Sequence, residues 1–213
     1  MLWKTIIDIG HTAVMFPLAA AIAAWLIAGR AWRMAVYWCG MFVAGIGLVA
    51  LSKVVFLGWG AQIALLGFKA LSGHTFCASA VLPTAVYVLL RESAPSWRML
   101  GVTLGISASM ALGVLIVYFD FHSASEVIAS FALGLFISLL YMRIADRYPC
   151  PRINRWTASF SVLVFAAIFA LNPSVLNYQV VKVALHLSGR EHPYDWSGKL
   201  MCQSESPVNR KRQ

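Results

Sequence analysis

The chain has 213 residues, 60% of them apolar or aromatic and only 12% charged, with a net charge of +9 and a mean hydropathy of +0.74. A soluble domain carries about 25% charged residues, so a water-facing globular domain, a disordered chain and a nucleic-acid-binding module are excluded as whole-chain readings. The four cysteines, Cys39, Cys77, Cys150 and Cys202, show no paired spacing, which argues against a zinc site or a disulfide framework.

The remaining class is an all-α polytopic membrane helical bundle. A bilayer core about 30 Å thick takes about 20 apolar residues per helix. Six stretches meet that condition in chain order: Thr12–Ala28, Ala35–Leu51, His74–Leu90, Met99–Phe119, Ser123–Tyr141 and Trp156–Leu171. The first is followed at once by another apolar run, unlike a cleaved leader. Pro83, Gly105, Ser107, Ser109 and Gly113 fall inside spans, where small residues allow close helix approach. Residues 1–172 therefore read as a six-span membrane domain, and residues 173–213 as a separate tail. Within the tail, Val175–Leu187 is apolar enough to lie in the membrane interface, and Ser188–Gln213 reads as polar, basic and loose.

Charge sets the expected orientation. With six spans, the loops bearing Arg30 and Arg33, Arg91 and Arg98, and Arg143, Arg147, Arg152 and Arg155 share one side. The other side carries Lys4, Lys53 and Lys69 before the tail. An excess of Lys and Arg in short loops marks the cytoplasm. Both termini, the loop Ser52–Gly73 and the turn Asp120–His122 are then expected outside.

Ionisable groups at the ends of spans are costly and serve as site candidates. Lys53 closes the second span, His74 opens the third within Ser72-Gly73-His74, Asp120 and His122 follow the fourth, and Glu126 lies one turn into the fifth. Because span directions alternate, all of these converge on one membrane face. His122 and Glu126, four apart, would share a helix face, and a carboxylate on one imidazole nitrogen leaves the other as nucleophile or base. Ser72-Gly73 ahead of a helix offers N–H groups suited to phosphate. Each feature alone also has a plain structural reading: a buried pair at a helix start, an N-cap, a snorkelling lysine. Their convergence points to a site.

These residues in this order resemble the type 2 phosphatidic acid phosphatase superfamily, whose motifs run Lys-x6-Arg-Pro, Pro-Ser-Gly-His and Ser-Arg-x5-His-x3-Asp. Lys53 fits the first, Leu71-Ser72-Gly73-His74 the second without its proline, and His122 to Glu126 the end of the third with Glu for Asp, the likeness covering about residues 51–140. The resemblance implies a lipid phosphate or isoprenoid diphosphate phosphatase of a bacterial inner membrane, needing no cofactor or metal and acting at the external face. His122 would attack phosphorus, Glu126 would orient it, and His74 would protonate the leaving oxygen. Lys53, Ser72 and Gly73 would hold the phosphoryl oxygens. The motif arginines are replaced: Gly60-Ala61 stands for Arg-Pro and Leu115-Ile116 for Ser-Arg. Lys69, three residues before Ser72, is the expected substitute clamp. Two other readings remain: a weak or silent relative that binds lipid or scaffolds a partner protein, and a metal site from His74, Asp120, His122 and Glu126.

Overall fold

The computed structural model describes residues 12–150, 161, 175–190 and 192–194. Its elements are α1 (Thr12–Ala28), α2 (Trp32–Trp59), a 3-10 turn at Ala64–Leu66, α3 (Gly73–Leu89), α4 (Pro95–Tyr118), α5 (Ala124–Ala145) and α6 (Val175–Ser188). Among the described residues there is no strand, and Ile63 and Phe68 form an isolated bridge. The protein is an all-helical membrane bundle. Helices α2, α4 and α5 are long and apolar enough to cross a bilayer, while α1 and α3 are apolar but 17 residues each. The expected span Trp156–Leu171 lies outside the described residues except Ser161, whose hydroxyl accepts from Trp25 Nε1 at 2.7 Å.

Helix α3 is the axis, packed against α1, α2, α4 and α5. It is buried nearly all round, as a helix without a polar face must be. Its hydroxyls are satisfied within the bundle: Ser79 Oγ donates to Thr75 O at 2.8 Å, Thr84 Oγ1 to Ala80 O at 2.7 Å, and Thr84 meets Ser138 of α5 at 2.9 Å. Beside α3, Trp38 stacks on Phe42 at 5.4 Å, and Phe42 on Phe76 at 5.9 Å. The outer faces of α2, α4 and α5 expose Val36, Val43, Leu104, Val114, Ile128 and Phe136, the apolar surface that lipid covers.

Two boundaries differ from expectation. Helix α2 does not stop near Leu51 but runs to Trp59 and ends where Gly60 turns left-handed, at φ +68. Lys53 therefore sits inside the helix, because one lysine charges a helix without breaking it and the apolar run resumes directly behind it. The tail also returns: Tyr194 N donates to Leu57 O at 3.1 Å, so the segment just past Ser188 is tied to α2 instead of loose. Helix α6 packs on α2 around Val54, Phe56 and Leu57 through Ala184, Val180 and Val181.

Candidate functional site

The turn between α4 and α5 makes the site. Helix α4 closes with Asp120 in the left-handed region at φ +56. There Asp120 N donates to Val117 O at 3.0 Å and Phe121 N to Ile116 O at 3.1 Å. This paired closure of a helix C-terminus usually takes glycine, and Asp is among the few other residues that tolerate it. Helix α5 then begins at once with a capping box, Ser123 accepting from Glu126 N and Glu126 accepting from Ser123 N. His122 precedes this helix. Its bond to Glu126 is thus not the within-helix contact that their four-residue spacing suggested, but a loop residue reaching the third position of the helix.

Glu126 is 3% exposed and accepts from four donors. Oε2 takes His122 Nδ1 at 2.6 Å and Ser123 N at 3.2 Å, and Oε1 takes Lys69 N at 2.9 Å and Ala70 N at 3.3 Å. Three of these donors are backbone N–H groups, which can only donate, so both carboxylate oxygens act as acceptors. With both oxygens accepting, Nδ1 of His122 is placed to donate its hydrogen to Oε2, which leaves the lone pair on Nε2. Burial draws the His122 imidazole below its ordinary 6.5, against the hydrogen bond and charge of Glu126, which raise it. Neutral imidazole is the form a nucleophile requires.

The same residues hold down the loop before α3. Leu71 N donates to Ser52 Oγ at 3.0 Å and Ser72 N to Ser130 Oγ at 2.7 Å, while Ser130 Oγ donates to Glu126 O at 2.6 Å. Ser125 Oγ donates to Leu66 O at 2.8 Å, across the 3-10 turn. Ser72 is fully buried, and its hydroxyl accepts from Thr75 N and Thr75 Oγ1 as the N-cap of α3.

A cavity of about 310 Å³ opens over this arrangement, lined by Lys69, Asp120, His122, Glu126 and their neighbours. The expected cluster is therefore divided. His122, Glu126, Lys69 and Asp120 meet at the open cavity. Lys53, Ser72 and Gly73 lie deeper: an added Cβ at Gly73 would stand 4.0 Å from Lys53 Nζ, which places the ammonium against the start of α3. Among the described residues no carboxylate lies within ion-pairing distance of that ammonium, although Lys53 is in electrostatic reach of Glu126 and His122. His74 is partly buried in the first turn of α3 and does not line the cavity. Among the described residues no three His, Cys, Asp or Glu side chains converge as a metal would need, so His74, Asp120, His122 and Glu126 do not form the metal-ligand group that their sequence order allowed.

The motif positions without arginine have structural reasons. Gly60 adopts φ +68, a conformation strained for other residues, under the Tyr194 ring, whose atoms stand 2.9–3.1 Å from the place of an added Cβ, so a larger side chain would be strained and would have to displace that ring. Ile116 is 5% exposed. Ser52, Ser123 and Ser130 went unnoticed in the sequence. Only Ser123 carried a signal, the Ser-x-x-Glu pattern of a capping box. Ser52 and Ser130 matter through contacts with a loop 19 and 58 residues away.

No family model matches the chain, and no solved structure matches it. A curated relative from Klebsiella pneumoniae, described as "Uncharacterized 22.5 kDa protein in cps region", is 30% identical over 152 residues, 71% of this chain and 73% of the relative.

Proposed function

The chain belongs to the family of that Klebsiella pneumoniae protein, and from that premise and the geometry of the site we propose an integral membrane lipid phosphate or diphosphate phosphatase that works through a phosphohistidine at the external membrane face. The relative is an uncharacterized protein of a cps region with no reaction assigned to it, so the proposal rests on the site. The observation that carries it is the 2.6 Å bond from His122 Nδ1 to a carboxylate anchored by three backbone N–H groups, at the edge of a cavity that also holds Lys69.

In this reading Nε2 of His122 attacks phosphorus. An N–P bond forms, the P–O bond to the leaving lipid or lipid phosphate breaks, and the leaving oxygen takes a proton from His74, which must swing toward the cavity from the first turn of α3 to deliver it. Water then attacks phosphorus, its proton passing to His74, and the N–P bond breaks to release phosphate and neutral His122. Lys53 and Lys69 offset the phosphoryl charge, and the start of α3 adds its positive end. The resemblance to the type 2 phosphatidic acid phosphatases supports the roles of His122, His74 and Lys53, while Lys69 lies outside its motifs and is assigned from its place at the cavity.

A second reading, a weak or silent relative that binds lipid, is favoured by one observation. Gly60 and Ile116 leave both motif arginines unreplaced at their own positions. Losing one positioned donor costs about 10²–10³ in rate, so turnover should be slow. The deciding measurement is phosphate release from a panel of lipid phosphates and isoprenoid diphosphates, wild type against His122→Ala. Release by wild type and none by the variant supports the phosphatase. Equal release by both, or none by either, leaves the lipid-binding reading in its place.

A further inference from the structure

At the membrane face opposite His122, α1 passes to α2 through a turn built on Arg30. Arg30 N donates to Ile27 O at 2.9 Å and Ala31 N to Leu26 O at 2.8 Å. Arg30 itself is left-handed at φ +55, in the position glycine usually fills. Three residues on, Arg33 stands with its guanidinium carbon 5.5 Å from the centre of the Trp32 ring. These two arginines, Trp32 and Tyr148 line a cavity of about 250 Å³ between the α1–α2 turn and the chain leaving α5. Arg33 and Lys53 are 20 residues apart in one helix, about 30 Å of rise, so this cavity and the His122 site are separated by the thickness of a bilayer core.

Three observations indicate what the cavity takes. First, neither Arg30 nor Arg33 has a carboxylate partner among the described residues. The start of α2 adds to this positive charge, because Ala31 supplies no side-chain cap. Second, the aromatic rings mark the depth of the cavity. Trp32 is 62% exposed and Tyr148 pairs with Tyr37 at 6.0 Å, the belt that Trp and Tyr form at headgroup level. Third, Ile27 and Val36, each 61% exposed, lie within about a turn of the arginines on the two helices that flank the cavity. They offer apolar surface on the membrane side of a basic pocket. A free anion uses only the first of these features; an amphiphile uses all three.

We propose that this cavity binds the phosphate of an anionic phospholipid headgroup, with its acyl chains along Ile27 and Val36. Arg30 and Arg33 grip the phosphate oxygens, a geometry the guanidinium fork suits. Basic pockets between membrane helices hold anionic headgroups by the same physics. The site is independent of the His122 chemistry and stands whether or not the protein hydrolyses anything.

The test uses the full chain in neutral detergent, titrated with phosphatidylglycerol, phosphatidylcholine or inorganic phosphate, with retained lipid counted by native mass spectrometry. Wild type should retain phosphatidylglycerol in preference to phosphatidylcholine. The double variant Arg30→Asn, Arg33→Gln should lose one such lipid per chain, its affinity lowered by about tenfold or more. Asn tolerates the left-handed turn, and the exposed Arg33→Gln alone should show a smaller loss, so the test does not hang on the double variant folding. Arg143→Gln, an exposed charge outside this cavity, should retain the lipid, which separates a site from net charge. Unchanged retention in both cavity variants, or equal retention of phosphatidylcholine, overturns the proposal. Displacement of the lipid by inorganic phosphate at equal concentration means that the cavity takes the free anion and overturns the lipid assignment.

Discussion

Glu126 concentrates the chemistry of the site in one residue. Its carboxylate joins the turn before α5 to the loop before α3, since the oxygens that orient His122 also accept Lys69 N and Ala70 N. The protonation of His122 follows from the same burial. With the folded imidazole held below 6.5, the unfolded chain binds more protons between the two values. Stability should therefore rise with pH across that window and be fully present above it, with a slope of at most about 1.4 kcal/mol per pH unit. Thermal unfolding followed against pH should show this slope in wild type and lose it in His122→Asn; an identical profile in both would refute it. The cations are tested by turnover. Lys53→Ala and Lys69→Ala should each lower phosphate release by about tenfold or more. Arg98→Ala, whose guanidinium rests over Tyr87 at the opposite end, should change it little. A silent Lys69→Ala beside an impaired Lys53→Ala would remove Lys69 as the substitute clamp.

The helix pair α3–α5 decides whether those residues meet. Gly134 lets α5 approach α3 so closely that an added Cβ would stand 2.6 Å from Phe76 O and 3.0 Å from Ala80 N. Backbone atoms cannot move aside as a side-chain tip can. Gly134→Ala should therefore cost about 1–3 kcal/mol and shift the register that brings Ser130 to Ser72 and Glu126 to Lys69. Gly47, whose added Cβ would meet nothing within 4 Å, is the control, and Gly47→Ala should be neutral or slightly stabilising. Unfolding midpoints of the two variants in the same detergent decide the matter. The sequence showed small residues inside apolar runs but not which of them touch. Gly47 and Gly134 look alike in the chain and differ only in what faces them.

Across the whole molecule, orientation in the membrane is the open quantity that charge predicts. Leu65 is 94% exposed on the loop beside the His122 site, and Cys150 is an exposed thiol at the other end. With the other cysteines replaced, an impermeant maleimide should label Leu65→Cys in intact spheroplasts and Cys150 only after permeabilisation; the reverse pattern would invert the proposed topology. The sequence by itself determined the class of the protein and the neighbourhood of its site. Sixty per cent apolar residues in runs of helical length leave no other fold, and alternating span directions gather Lys53, Ser72, His122 and Glu126 at one end without knowledge of any contact. Only the tertiary structure decided how the members of that group divide. Ser72 turns its hydroxyl inward to cap α3, Lys53 lies deep against that helix start, and His122 and Lys69 share the open cavity. It also decided that Ser52 and Ser130 pin the loop and that Tyr194 covers Gly60. The physical reason is that apolar periodicity reports how far each residue lies along its own helix. Rotation about the helix axis and the path of a loop are set by hydrogen bonds and close packing between segments up to well over a hundred residues apart, which no local pattern records.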